Sequence, residues 1–298
     1  MKMKSLSVTP RLILGTPLLC AAFSAMIGCL PLSEGKAAMI MHLKLDEGSG
    51  TVAANSVPGG ENGSLVGAGS GWTTDVPSNF ASQAAYHNNG TNGAYIGLPA
   101  TSVGELDDFT ITGWINVHSA VGTTGGNDRI LAKNNFSSSY FDLGFRNLAG
   151  GGMGIALDIQ INGTTAMSAV LSSAIDFSDG WLFIAATREG ATGQINLYLG
   201  TPDAAGLSLI GNGNEVVGTI PSNVALLTLG NVQSNTARNG DVSYSDFRVY
   251  DTALAEDALE AIRLEQVPEP KAASLALVAG STIALISLMK DRGKVGGK

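Results

Sequence analysis

Apolar and polar residues alternate along much of the chain, most cleanly in FTITGWINV, residues 109–117. Phe109, Ile111, Ile115 and Val117 fall on one face with Gly113, and Thr110, Thr112, Trp114 and Asn116 on the other. A period of two sends successive side chains to opposite faces of a strand, so this stretch predicts a strand with one face in a core. Trp114 predicts that the second face is also partly covered. Comparable runs predict strands at 39–45, 94–98, 129–133, 140–146, 153–161, 181–189, 194–200, 225–230 and 244–250. Glycine and asparagine punctuate them, the pattern of an all-β protein in which two antiparallel sheets bury their apolar faces against each other. The period changes to a helical one only in AEDALEAIRLE, 255–265, where Leu259, Ile262 and Ala258 share a side and Glu256 and Asp257 occupy the first turn.

Two runs break the alternation. Leu12 to Leu30 is apolar and nearly uncharged and follows Lys2, Lys4 and Arg11, the order of a secretory leader. Cleavage after Ala37 places Gly35 and Ala37 at the small-residue positions; an uncleaved anchor is the alternative, because the apolar segment is long. Near the other end, 272–289 carries no charge and is followed by Lys290, Arg292, Lys294 and Lys298. Eighteen helical residues reach about 27 Å, enough for a thin hydrocarbon core, and the basic end favours the cytoplasmic side. The expected organisation is a leader at 1–37, one domain at 38–266 and a tail at 267–298 with a transmembrane helix at 272–289.

Both cysteines, Cys20 and Cys29, lie in the leader, so the exported domain has neither a disulfide nor a thiolate metal site of its own. MIGC, ending at Cys29, loosely matches a lipidation signal; the alternative is a small apolar residue of the leader. Between 38 and 266, eight Lys and Arg stand against 22 Asp and Glu, a formal charge of −14. Such a surface repels phosphate backbones, which argues against nucleic acid and for neutral glycans, cations or proteins as partners. His42, His87 and His118 are the only histidines. They read as strand or loop residues, and no Gly-x-Ser-x-Gly elbow, Walker motif or dinucleotide fingerprint is present.

HLKLDEGSGTVAANS, 42–56, resembles the opening of bacterial laminin G-like domains of the concanavalin A-like lectin and glucanase class. FTITGWINV, WLFIAATREGATGQINLYLG and SDFRVYDTALAEDAL follow in the family's order. The resemblance implies a concanavalin A-like jelly-roll sandwich. It also implies a structural calcium ion held by the early loop and by acids before the last strand, which map here onto Asn55 and Asp246. Glucanases of this fold carry three alternating carboxylates; Glu105 and Asp107 have the spacing of two, but Phe109 and Thr110 stand where the third belongs. Exposed aromatics are the expected sugar platform, and Trp72, Tyr86 and Tyr95 are the candidates outside the strand cores. Val267, Pro268, Glu269 and Pro270 with the apolar run resemble the PEP-CTERM sorting signal. That implies export, transient retention in the cytoplasmic membrane, cleavage by an exosortase and release to the cell surface or matrix.

The functional expectation is an exported, non-catalytic module that binds extracellular polysaccharide or a surface protein. A glycoside hydrolase or polysaccharide lyase of the same fold and a structural coat component are the alternatives.

Overall fold

The computed structural model describes residues 37–267 except 78–79, 120, 122–126, 135–138, 164–167, 223–224 and 234–236. The leader through Lys36, with Cys29, and the segment from Pro268 onward, with the apolar run 272–289, lie outside the described residues. No helix among the described residues is long and apolar enough to cross a membrane.

In chain order the strands are β1 (Met39–Leu43), β2 (Val52–Ala53), β3 (Gly63–Val66), β4 (Ser70–Thr73), β5 (Ala85–Asn89), β6 (Tyr95–Leu98), β7 (Phe109–Val117) and β8 (Arg129–Lys133). They continue with β9 (Tyr140–Asn147), β10 (Met153–Gln160), β11 (Ser168–Leu171), β12 (Trp181–Arg188), β13 (Gln194–Gly200), β14 (Ser208–Asn214), β15 (Leu227–Leu229) and β16 (Asp241–Tyr250). A 3-10 turn at Phe177–Asp179 and one helix, α1 (Glu256–Gln266), complete the set. One sheet runs β14-β13-β12-β7-β16-β5-β4, with β1 also on β16; the other runs β11-β10-β9-β8-β15-β6-β3-β2. Long connections set β16 beside β7 and β15 between β8 and β6, as in a jelly roll.

The alternation read in the sequence is what closes the sandwich. Phe109, Ile111 and Ile115 of β7 meet Phe141, Leu143 and Phe145 of β9 in the core between the sheets, with the rings of Phe109 and Phe141 5.6 Å apart. The opposite face of β7 is covered as well. Trp114 and Phe183 form a second cluster under Phe80 and the α1 residues Leu259 and Ile262. At Gly113 a Cβ would lie 2.5 Å from the Phe247 ring, so the glycine inside β7 gives that ring its place in the core.

A bulge interrupts the pairing of β16 with β7 between Ser245 and Arg248, and Asp246 there has φ +54°. The extra residue resets the alternation, returning Phe247 and Val249 to the core after Val242 and Tyr244.

Candidate functional site

On β9, alternation that buries Phe141, Leu143 and Phe145 sends Tyr140, Asp142, Gly144 and Arg146 to the outward face of the second sheet. On β10 it sends Asp158 outward, directly opposite Asp142 in the ladder. Two carboxylates side by side on one face repel, and here each is met by a guanidinium. Arg129 Nη2 pairs with Asp142 Oδ2 at 2.8 Å, and Asn134 Nδ2 donates to the same oxygen at 2.5 Å. Arg146 pairs with Asp158, across the small residues Gly144, Gly154 and Ala156 that the register places between them. Gly144 is required there, because a Cβ would lie 2.5 Å from the Asp128 carbonyl oxygen.

Tyr140, Arg129, Arg146 and Asp158 line a groove of about 320 Å³ together with Asn127, Asn147, Arg238 and, from β11, Ala169 and the exposed Leu171, while Asp142 is buried beside it. Arg129, Arg146 and Arg238 are three of the eight basic residues between 38 and 266, so cationic groups concentrate here on an otherwise acidic domain. Burial, followed by the neighbouring guanidinium of Arg129, pulls Arg146 down to about 10. Burial raises the Asp142 carboxyl against the opposing charge of Arg129 and the Asn134 hydrogen bond. Burial and the Asp142 charge together raise Tyr140. The floor thus alternates fixed donors and acceptors beside an apolar rim, which suits a ligand rich in hydroxyl groups.

The residues singled out from the sequence fall elsewhere. Tyr86, expected as an exposed platform, is fully buried between the sheets; it stacks on Tyr244, and its hydroxyl lies 3.0 Å from Ser70 Oγ. Trp72 packs edge-on against Tyr86, and its indole N–H donates to the Gly50 carbonyl at 2.9 Å. Tyr95 is half-buried with its ring alongside Gly97. The three do not form one open aromatic surface. Glu105 and Asp107 are exposed in the turn before β7. The Asp107 backbone carbonyl accepts from the buried Arg188, and the Asp108 carboxylate receives the Gly190 N–H, so the end of ELDD braces the β12–β13 hairpin.

Asn55 and Asp246 do not fit a calcium ion. Asp246, its side chain fully buried, accepts from His42 Nε2 at 2.7 Å and from Arg248 through both oxygens. Burial alone would raise Asp246; the His42 hydrogen bond and the Arg248 charge outweigh it and hold the carboxyl below its ordinary value. Asn55 Oδ1 already accepts from the backbone N–H groups of His42 and Val57. Calcium needs six to eight oxygens, and the charge it would supply is provided here by Arg248. Among the described residues no group of three or more His, Cys, Asp or Glu side chains is arranged to hold a metal.

The histidines are strand or loop residues, as expected: His42 lies on β1, His87 on β5 and His118 just after β7. His87 and His118 meet edge to face on the outward side of the first sheet, 5.0 Å between centroids, with His87 on Asp241 at 2.9 Å and His118 on Ser243 at 2.8 Å. Nothing local in the sequence links positions 87, 118, 241 and 243; the order β5-β16-β7 brings them together.

Two packed antiparallel sheets with a polar groove on an outward face define a jelly-roll sandwich of the lectin type. Residues 89–259 match the laminin G family model described as the concanavalin A-like lectin/glucanases superfamily, and the chain belongs to that superfamily. No curated protein matches the chain. Among solved structures it is similar to domain 4 of AbnA, a GH43 extracellular arabinanase from Geobacillus stearothermophilus, in complex with arabinotriose. The identity is 13%, over 76% of this chain and 98% of that one, with a TM-score of 0.56. It is also similar to the binding domain of Paraclostridial Mosquitocidal Protein 1 (16% identity, 76% of this chain, 51% of that one, TM-score 0.52). The receptor-binding domain of botulinum neurotoxin type G gives 16% identity over 76% of this chain and 50% of that one, with a TM-score of 0.52. The chain spans about half of each of the two toxin domains. At these identities the likeness is one of fold.

Proposed function

We propose that the domain is a non-catalytic saccharide-binding module, exported and released through an exosortase-type system, and that the groove between Tyr140 and Arg238 is its binding surface. The observation that carries this is the placing of Arg129, Arg146 and Asp158 on one outward sheet face, with the buried Asp142 behind Arg129, so that guanidinium donors stand beside a carboxylate acceptor in the groove. Vicinal hydroxyls both donate and accept, so such a floor can hold them without leaving a buried group unpaired. The arabinotriose held by the similar arabinanase domain supports the choice of arabinan as the first probe. Binding is preferred to hydrolysis because Asp158, the carboxylate that lines the groove, is committed to Arg146, and Asp142, only 1% exposed, to Arg129.

The test is calorimetric titration of the 38–266 domain with arabinan, xylan, cellulose and galactan oligosaccharides, in parallel with an assay for reducing ends. Binding without release of reducing ends is expected, weakened about tenfold or more by Arg146→Ala, since truncating one partner of a buried pair costs about 2–5 kcal/mol. No retention on any polymer, or binding indifferent to Arg146→Ala in a folded variant, would overturn the reading. Release of reducing ends that Asp158→Asn abolishes would establish the hydrolase instead.

A further inference from the structure

We propose that the groove is one part of a longer trough, and that a second, apolar subsite at the end of the sandwich receives further sugar units of the same chain. The inference rests on the saccharide reading of the groove and assigns it a ligand class: an oligosaccharide rather than a single sugar.

The second subsite is a cleft of about 590 Å³, larger than the groove itself. Its walls are mainly apolar, formed by Val117, Val121, Met153 and Phe177, with His118 and Asn147 among the few polar groups. Asn147 also lines the groove, so the two spaces meet at one exposed side chain. Met153 stands opposite Asn147 in the β9–β10 ladder, on the face that looks into the sandwich, so the cleft opens at the end of the strands and the two spaces meet around that rim at Asn147.

The walls are built to keep their shape. Phe177 packs edge-on against the core residue Phe145 at 5.4 Å, and Asp176 holds the turn by accepting the Ser178 N–H at 2.9 Å. His118 is fixed by Ser243 and by the ring of His87. A half-buried aromatic ring held by its edge can present a face to a ligand, and the C–H face of a sugar ring is its natural complement.

Length agrees with chemistry. Tyr140 and Asn147, which both line the groove, stand seven strand steps apart on β9, about 23 Å at about 3.3 Å per residue, and the end cleft begins at Asn147. That is the span of several linked sugars. Hydroxyl groups would be read by the arginines and aspartates, and ring faces by Phe177 and its neighbours.

The experiment uses disaccharide and hexasaccharide members of the arabinan, xylan, cellulose and galactan series, titrated against the domain and its variants. For the series that binds, the hexasaccharide is expected to bind about tenfold tighter than the disaccharide. Phe177→Ala is expected to weaken the hexasaccharide by about three- to tenfold, the range of a single aromatic contact, and to leave the disaccharide unchanged. Phe177→Leu, which keeps apolar packing on Phe145 but removes the ring, should show the same selectivity and guards against a variant that fails to fold. Arg146→Ala should weaken both lengths. If both lengths bind equally and Phe177 is indifferent, the trough is refuted while saccharide binding in the groove stands. If no series binds at either length, both readings fall together.

Discussion

Lys133 ends β8 wholly buried, its ammonium donating only to the Gly104 carbonyl at 3.1 Å, with no carboxylate in ion-pair range among the described residues. Burial pulls it from the ordinary 10.5 down to about 8. The unfolded chain therefore keeps this proton up to a higher pH than the folded one does. Stability should rise with pH between about 8 and 10.5, and the penalty is fully present below that window. Lys133→Met is expected to raise unfolding free energy at pH 7 by roughly 3 kcal/mol and to flatten the profile across the window. Urea titrations at several pH values measure both, and a profile unaltered by the substitution would refute the account. Tyr86 carries the same lesson without a charge. Sequence alternation tells which residues share a face, but the facing sheet decides which face is dry, and Tyr86 lies on the dry one.

The helix α1 was legible as an element because Leu259 and Ile262 recur at helical spacing; its second anchor was not. Arg263 is buried, bonded to Glu260 and to the carbonyls of Thr201 and Ala204, and so pins the helix to the segment after β13. Leu259→Ala is expected to cost about 2–5 kcal/mol and to loosen the packing over Trp114, whereas Leu264→Ala on the exposed side should cost almost nothing. Denaturant midpoints with near-ultraviolet dichroism separate the two; equal effects would mean that the helix does not cover the Trp114 cluster. Several strands escaped the sequence reading for a related reason. β4 and β14 are rich in glycine and serine or asparagine, sit at sheet edges and bury few side chains, so alternation leaves little trace. β5 reads as AYHNN because its polar residues meet partners distant in sequence or fold: Asn88 donates to the carbonyls of Ala94, just before β6, and Gly230, just after β15, and His87 faces Asp241 of β16.

For the whole molecule, the proposed route turns on whether the tail is a temporary anchor or a permanent one. Pro268 and Pro270 lack backbone N–H donors, and they mark the place where the proposed cleavage would fall. Protein recovered from the surface of the native host is expected to lack residues 272–298, and changing VPEP to VAAA should leave an uncleaved membrane form. Mass spectrometry of the C-terminal peptide decides it: an intact Lys298 terminus on surface protein would make the run a plain anchor. The formal charge of −14 between 38 and 266 should keep the released domain from polyanions, apart from the arginine-lined groove.

The sequence by itself determined the strands with clean alternation, the two-layer architecture and the helix, because a period of two or of 3.6 is written residue by residue and needs only a core to satisfy it. Tertiary structure alone decided the site. Arg129, Arg146, Asp158 and Arg238 lie on different strands and loops, and only the sheet order and register place them around one groove. The same holds for Asp246, which looks like a metal ligand in the chain. The β16 bulge and its neighbour β1 surround it with Arg248 and His42, and a carboxylate already neutralised in a dry site has no charge left to offer an ion.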